Sequence, residues 1–107
     1  DPQAVEVARE NVEINRTPGG VLVVEAQPRD FRGGSFDVVV ANLTAEVIIE
    51  LMDDLVGCLA RQGLLILSGI LAPLLSDVEQ RAVASGLSVS ERRAAGEWAA
   101  LVARREW

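Results

Sequence analysis

The sequence predicts one α/β domain over residues 1–107, with a mostly parallel sheet and an antiparallel hairpin at the carboxyl end. Three observations predict this class. Short apolar segments rich in β-branched residues alternate with segments of helical spacing, as in parallel sheets covered by helices. The segment FDVVVAN is apolar on successive positions, so we expect it to be buried on both faces. LSVSERRA and EWAALVARR flank Gly96 and predict the hairpin.

The first part of the chain predicts a helix and two strands. Asp1 before Pro2 has the form of an N-cap, and apolar residues then recur at helical spacing, so we expect a helix of about four turns. The turn residues TPGG end this helix. VLVVEA (Val21–Ala26) predicts a short strand, and FDVVVAN is the next one.

The second part continues the alternation. Thr44 is expected to be the N-cap of a helix that runs to about Ala60. GLLILSG (Gly63–Gly69) predicts another buried strand. A helix is expected from Pro73 to about Ser85, because proline is favoured in a first helical turn.

Composition excludes several kinds of site. The chain has a formal net charge of −6 and a pI of about 4.5, which argues against non-specific binding to the phosphate backbone of nucleic acid. It contains no histidine, so His-based triads and His metal sites are excluded. The single cysteine, Cys58, excludes an internal disulfide and suits a reducing cytoplasm. No apolar run is long enough for a membrane helix.

Ligands of parallel α/β sheets lie outside the carboxyl ends of the strands. Three places in the sequence qualify: the turn after Glu25, Asn42 with its neighbours, and SGIL (Ser68–Leu71). Polar residues at these places would also suit ordinary loops.

Four stretches carry a family resemblance. DPQAVEVARENVEIN resembles the helix after the second strand in Rossmann-like, class I S-adenosylmethionine-dependent methyltransferases. FDVVVANLTAEVIIEL, LLILSGIL and GEWAALVARR resemble, in order and spacing, the catalytic domain of the ribosomal protein methyltransferase family. That family methylates lysine and amino-terminal amines of protein eleven of the large ribosomal subunit. The resemblance implies S-adenosylmethionine as cofactor, this ribosomal protein as substrate partner, and a cytoplasmic enzyme.

The resemblance gives Asn42 a role. In this class the corresponding residue begins a motif beside the sulfonium methyl, so Asn42 would orient the amine or contact the cofactor. The motif here reads NLTA instead of the Asn-Pro-Pro-aromatic version used for amino groups of bases and glutamine, which counts against a nucleic-acid substrate. The alternative is that Asn42 only turns the chain before Thr44.

Two further cofactor contacts are implied by the resemblance. Asp1 matches the second aspartate of the family's Asp-x-Asp-Pro, near the ribose, although it would also serve as a helix N-cap. Gln27 follows the strand whose end meets the adenine edge in this class. Neither role requires a metal.

Other positions receive structural interpretations. Ser68 and Gly69 suit close backbone packing. Trp98 is expected to pack in the core or at the sheet edge, with substrate contact as the alternative. Solvated strand faces are expected for the arginines at positions 92, 93, 104 and 105.

These residues contain no counterpart of the class's glycine-rich loop or of its first two strands. In the class order those strands lie between VLVVEA and FDVVVAN, so we expect either a fragment of a longer chain or a different strand pairing. The 107 residues alone are expected to be inactive and to self-associate. Two alternatives stay open: a non-catalytic interaction module or decayed methyltransferase, and a lysine methyltransferase with another protein substrate. A dehydrogenase half is excluded because no Gly-x-Gly-x-x-Gly turn is present.

Overall fold

The computed structural model of the chain describes residues 20–25 and 35–107. The helix predicted at the start of the chain lies outside them. The elements in chain order are β1 (Val21–Glu25), β2 (Phe36–Asn42), α1 (Ala45–Gly57), β3 (Leu59–Leu71), a 3-10 turn (Ala72–Leu74), α2 (Leu75–Ala84), β4 (Ser88–Ala95) and β5 (Trp98–Arg104).

The strands form one mixed sheet in the order β1-β2-β3-β5-β4. β1, β2 and β3 run parallel, whereas β5 pairs antiparallel with both β3 and β4. The predicted α/β class, with a parallel part and a carboxyl-terminal hairpin, is therefore confirmed.

The direct pairing of β1 with β2 departs from the class strand order in the part of the chain that the structure describes. β1 lies directly beside β2, from Val21 opposite Val38 to Glu25 opposite Asn42. No gap for two further strands separates them in the part of the chain that the structure describes. Direct pairing satisfies backbone donors and acceptors that would otherwise be buried without partners.

The first helix begins where expected and ends earlier, whereas the second begins later than expected. Thr44 caps α1, its hydroxyl accepting a hydrogen bond from the Val47 N–H over 3.4 Å. α1 stops at Gly57 and not near Ala60, because Leu59 already pairs with Phe36 as the start of β3. α2 begins after the 3-10 turn that contains the proline, not at the proline itself.

The core lies on one face of the sheet, beneath the two helices. It joins fully buried residues of α1, α2 and alternate strand positions: Leu22, Val24, Val39, Ala41, Ile48, Met52, Leu55, Leu65, Leu67, Val78, Ala82, Leu101 and Ala103. Val38 and Val40 on β2 are only half-buried. The prediction that this strand is buried on both faces is therefore wrong for the second face. Valine is common both in strands that are covered on two faces and in strands that are covered on one face, so it does not distinguish them.

Arg105 is not a solvated strand residue as predicted. Its guanidinium donates to the Leu59 carbonyl over 2.6 Å and to the Val56 carbonyl over 3.4 Å, and lies 5.1 Å from the Trp107 ring centre. Carbonyl groups at a helix end lack intrahelical partners, so Arg105 satisfies one at the end of α1 and one at the start of β3.

Arg92 extends from β4 to the surface of α2. Its guanidinium forms a two-point ion pair with the Glu79 carboxylate. The pair lowers the pKa of Glu79 and raises the pKa of Arg92, chiefly through the hydrogen bond between the side chains. Such exposed pairs contribute little stability, so the contact orders the hairpin against α2 without defining the fold.

No helix in residues 20–25 and 35–107 is long and apolar enough to cross a membrane.

Trp98 does not pack in the core. It is 52% exposed, and its partner across the β3–β5 pairing, Leu71, is 43% exposed. The hairpin sequence predicted that Trp98 lies on a strand; Ala99, Leu101 and Ala103 take the buried face of β5, so Trp98 lies on the other face.

Trp98→Ala is expected to lower the free energy of unfolding by about 1 kcal/mol or less, because much of the indole already contacts solvent. Leu101→Ala on the same strand removes a fully buried side chain and is expected to cost about 2–5 kcal/mol. Urea denaturation of both variants measures the difference. Equal losses for the two would show that the indole packs in the core.

Candidate functional site

The carboxyl ends of the three parallel strands meet at one edge of the sheet. Glu25 ends β1 opposite Asn42, and Asn42 ends β2 opposite Ser68 of β3. Because β5 runs antiparallel to β3, its first residue, Trp98, lies at the same edge opposite Leu71. This edge is where α/β sheets bind ligands, and it holds Asn42 and the SGIL segment; the turn after Glu25 lies outside the described residues.

Asn42 is exposed at this edge, although its neighbours in the chain are buried. The next residue, Leu43, donates its N–H to the Ser68 carbonyl over 3.1 Å. Thr44 supplies the helix cap. The turn into α1 is thus made by Leu43 and Thr44, which leaves the Asn42 side chain available for other contacts.

Gly69 brings the backbone of β3 close to Asn42. Two residues of β3, Ser68 and Gly69, stand opposite the single residue Ala100 of β5, since Leu67 pairs with Leu101 and Ile70 with Ala99. This is a β-bulge, a feature that often lies beside active sites and re-aims side chains.

The space at Gly69 admits no side chain. Its φ is +82°, and a Cβ built there would lie 2.5 Å from Asn42 Oδ1 and 3.0 Å from the Leu43 carbonyl oxygen. The close backbone packing predicted for the Ser68–Gly69 pair is therefore confirmed. The Asn42 side-chain amide therefore packs directly against the backbone of Gly69, and we call this contact the seat at Gly69.

A cleft of about 280 Å³ opens on the other side of Gly69. We call it the Trp98 cleft; its lining residues are Thr44, Ala45, Glu46, Gly69, Leu71, Leu74 and Trp98. The walls are mostly apolar, with one carboxylate and one hydroxyl. None of the described residues that line it is basic.

Glu46 is exposed in the first turn of α1. A carboxylate is favoured there because the helix macrodipole is positive at its amino end. Among the described residues no arginine forms an ion pair with Glu46. Its charge is therefore available to whatever enters the cleft.

The structure describes only one of the three site residues that the sequence predicted. Asn42 lies at the expected edge, whereas Asp1 and Gln27 lie outside the described residues. Sequence reasoning identified Leu71 only as part of SGIL and did not identify Glu46 or Leu74. The bulge in β3 sets the pairing of Leu71 with Trp98 at the start of β5.

The described residues contain no group of three or more Cys, Asp or Glu side chains placed to hold a metal ion. The sequence resemblance implies S-adenosylmethionine, and the described residues fit its chemistry. Gly69 lets the backbone approach closely, Asn42 offers a neutral amide, and none of the described residues that line the adjoining cleft is positively charged.

Comparisons with known proteins agree on one family. The family model described as Ribosomal protein L11 methyltransferase (PrmA) matches residues 1–106. Curated proteins named Ribosomal protein L11 methyltransferase are similar to it. The one from Pelobacter propionicus is 42% identical over 105 residues, and the one from Alkaliphilus oremlandii is 39% identical over 104. The matches cover 98% and 97% of this chain but only 34% and 33% of those proteins.

Solved structures agree with the fold. The ribosomal protein L11 methylase from Lactobacillus delbrueckii subsp. bulgaricus superposes with a TM-score of 0.65 at 32% identity, over 69% of this chain and 38% of that one. A methyltransferase from Pyrococcus furiosus superposes with a TM-score of 0.64 over 100% of this chain and 60% of that one; at 23% identity it supports the fold alone.

The chain spans about a third of the length of the curated relatives it matches. Within that span the match is continuous, and it includes the strands that carry Asn42, Gly69 and Trp98. On this evidence the chain belongs to the ribosomal protein L11 methyltransferase (PrmA) family.

Proposed function

We propose that the chain is part of the catalytic domain of an S-adenosylmethionine-dependent enzyme that methylates lysine and amino-terminal amines of ribosomal protein L11. The observation that carries the proposal is the seat at Gly69, which presents the Asn42 amide at the ligand-binding edge of the sheet. The names of the relatives support the substrate. The match over residues 1–106 favours an enzyme over a non-catalytic remnant.

Methyl transfer to an amine is an in-line displacement. When bound, S-adenosylmethionine supplies an electrophilic methyl group on a positively charged sulfur. With that group bound, Asn42 would hold the attacking amine; methyl transfer would leave S-adenosylhomocysteine, and the methylated nitrogen would release one proton to water. The protein's task is to hold the amine neutral and aimed, since positioning supplies much of the rate.

Asn42 suits this task because its side chain is uncharged. The amide Oδ1 can accept a hydrogen bond from an amine N–H and fix the direction of the lone pair. A carboxylate in the same place would favour the protonated ammonium, which has no lone pair to donate. In the proposal, Asn42 is the catalytic residue and also contacts the cofactor.

Asp1 and Gln27 are proposed as further cofactor contacts, near the ribose and the adenine edge, on the resemblance alone. Asp1 as a helix N-cap remains the alternative. The proposed setting is the cytoplasm. A related lysine methyltransferase with another protein substrate would share this site, so the substrate must be tested by mass spectrometry of methylated L11.

Asn42→Ala is expected to lower turnover about ten- to a thousand-fold, the scale of losing one positioned hydrogen-bonding group. The assay uses a chimaera in which this chain replaces the segment that it matches in the Thermotoga maritima relative, which is 40% identical. Gln80→Ala, which removes an exposed amide from α2, is the matched control and should leave turnover unchanged. Normal turnover of a folded Asn42→Ala chimaera would remove Asn42 from the mechanism.

An inactive unmodified chimaera that folds and binds L11 would contradict the proposed function itself.

Gly69→Ala is expected to reduce turnover of the chimaera at least as much as Asn42→Ala, because the new methyl group displaces the Asn42 side chain. Gly96→Ala is the control: its φ is also positive, at +62°, but nothing lies within 4 Å of an added Cβ. Both variants bear the conformational cost of a positive φ, about 1–2 kcal/mol. Equal turnover of the two would show that Gly69 does not position Asn42.

The 107-residue polypeptide alone is expected to bind S-adenosylmethionine no more tightly than millimolar. In this class the cofactor is also held by a glycine-rich loop, which these residues do not contain. Each 1.4 kcal/mol of lost contact weakens binding about tenfold. Isothermal titration calorimetry measures the affinity, and a micromolar dissociation constant from a monomer would contradict the expectation. Self-association is proposed through β1, whose outer edge has no strand partner among the described residues.

A further inference from the structure

The strand β4 lies at the outer edge of the sheet, on the side away from β1. In the order β1-β2-β3-β5-β4 it pairs with β5 alone among the described residues. Every residue from position 90 to position 95 is exposed, so this edge is open to solvent. An outer strand directs unpaired backbone N–H and C=O groups away from the sheet and can thereby accept a further strand.

The second half of β4 is regular enough to accept such a strand. Glu91 to Ala95 pair with five consecutive residues of β5, from Val102 to Trp98. The bulge between Val89 and Glu91 limits the regular ladder on one side. β4 contains neither proline nor lysine, two residues that natural proteins place on outer strands to prevent pairing.

The charges of β4 are divided between its two faces. Glu91 and Arg93 lie two positions apart on one face, where Arg93 Nε donates to the Glu91 carboxylate over 2.7 Å. Arg92 lies on the other face and is bound by Glu79 of α2. The side chains of Arg93 and Glu91 are 79% and 46% exposed. One face of this edge thus presents a positive and a negative charge side by side to a neighbouring strand.

These charges select one register for two β4 strands that pair with each other. Around a two-fold axis perpendicular to the sheet, two copies of β4 run antiparallel and keep the same faces together. An axis at Glu91 or at Arg93 would place that residue opposite its own copy, which is unfavourable. An axis at Arg92 places Glu91 opposite the partner's Arg93. The symmetry repeats this contact, so two opposite-charge pairs form at once.

Arg92 meets the partner's Arg92 in this register. Each guanidinium is already bound by both carboxylate oxygens of Glu79 in its own copy. The two positive charges at the axis are therefore each compensated within one copy, and solvent screens the remaining repulsion.

We propose that β4 is an interaction surface for a second copy of this chain. Two β4 strands pair antiparallel around Arg92 and join two five-stranded sheets into one continuous sheet. Reciprocal ion pairs between Glu91 and the partner's Arg93 fix the register. Because the two strands run in opposite directions, the sheet edges that carry Asn42 point away from each other, and both candidate sites stay accessible.

The test is sedimentation velocity of the intact 107-residue chain over a range of concentrations. Glu91→Arg and Arg93→Glu each turn both opposite-charge pairs into like-charge pairs. Each variant is expected to weaken self-association about tenfold, the scale of two exposed charge pairs changed from attraction to repulsion. Both positions are exposed, so the fold is expected to be retained, which circular dichroism checks.

Matched controls make the same changes in net charge at exposed positions outside β4. They are Glu50→Arg on α1 and Arg61→Glu on β3. Each control should leave the association constant within about twofold of the wild-type value, since isolated surface charges contribute little.

The two β4 variants are complementary to each other. Their equimolar mixture is expected to recover wild-type association, because every facing pair between the two variants is again of opposite charge. The double variant Glu91→Arg/Arg93→Glu should recover it alone, since it only exchanges the two charges.

Association through β1 is the same in all of these variants, so the differences between them report β4 alone. Equal association of all variants, a mixture that associates no better than its components, or a wild-type chain that stays monomeric at every concentration would each overturn the proposal. The measurement requires neither cofactor nor turnover, and its outcome is independent of the proposed methyltransferase function.

Discussion

Gly69 adopts a φ of +82° inside a β-bulge, and there the backbone of β3 comes so close to β2 that a Cβ would lie 2.5 Å from Asn42 Oδ1. The rest of the site follows from this contact. Because the bulge occupies one extra residue of β3, Leu71 is brought opposite Trp98 at the start of β5. Asn42 and the Trp98 cleft thus share one wall. A single backbone conformation therefore places the proposed reacting group beside this cleft.

The bulge can be maintained because the sheet around it is firmly packed. Alternate residues of β2, β3 and β5 are fully buried against α1 and α2, so the strands cannot shift their register without exposing core leucines and valines. At the opposite edge, Arg105 hydrogen-bonds the end of α1 to the start of β3. The edge at the carboxyl ends of the parallel strands, where we propose that the ligands bind, carries exposed Asn42, Glu46 and Trp98, whereas the stabilising contacts lie elsewhere. This division is common in proteins, since binding groups must remain accessible.

The sequence predicted whatever depends on local pattern. The β-branched runs predicted β1 and β2, Thr44 was recognisable as a cap, and Asn42 stood out because a polar residue ended an apolar strand. Features that depend on pairing were not predictable. The pairing of Trp98 with Leu71 follows from the bulge in β3, and the role of Arg105 follows from carbonyls that are distant in sequence. The half-burial of Val38 was also not predictable, because the strand propensity of valine does not indicate how many faces of the sheet are covered.

The central claim is that the methyl group is delivered at the seat formed by Gly69 and Asn42. A crystal structure of the Thermotoga maritima chimaera with S-adenosylhomocysteine and a lysine peptide of ribosomal protein L11 tests it most directly. The account predicts the cofactor sulfur at the carboxyl ends of the parallel strands and the lysine nitrogen about 3 Å from Asn42 Oδ1. A sulfur at the opposite edge, near Arg105, or a lysine nitrogen held without Asn42, would contradict it.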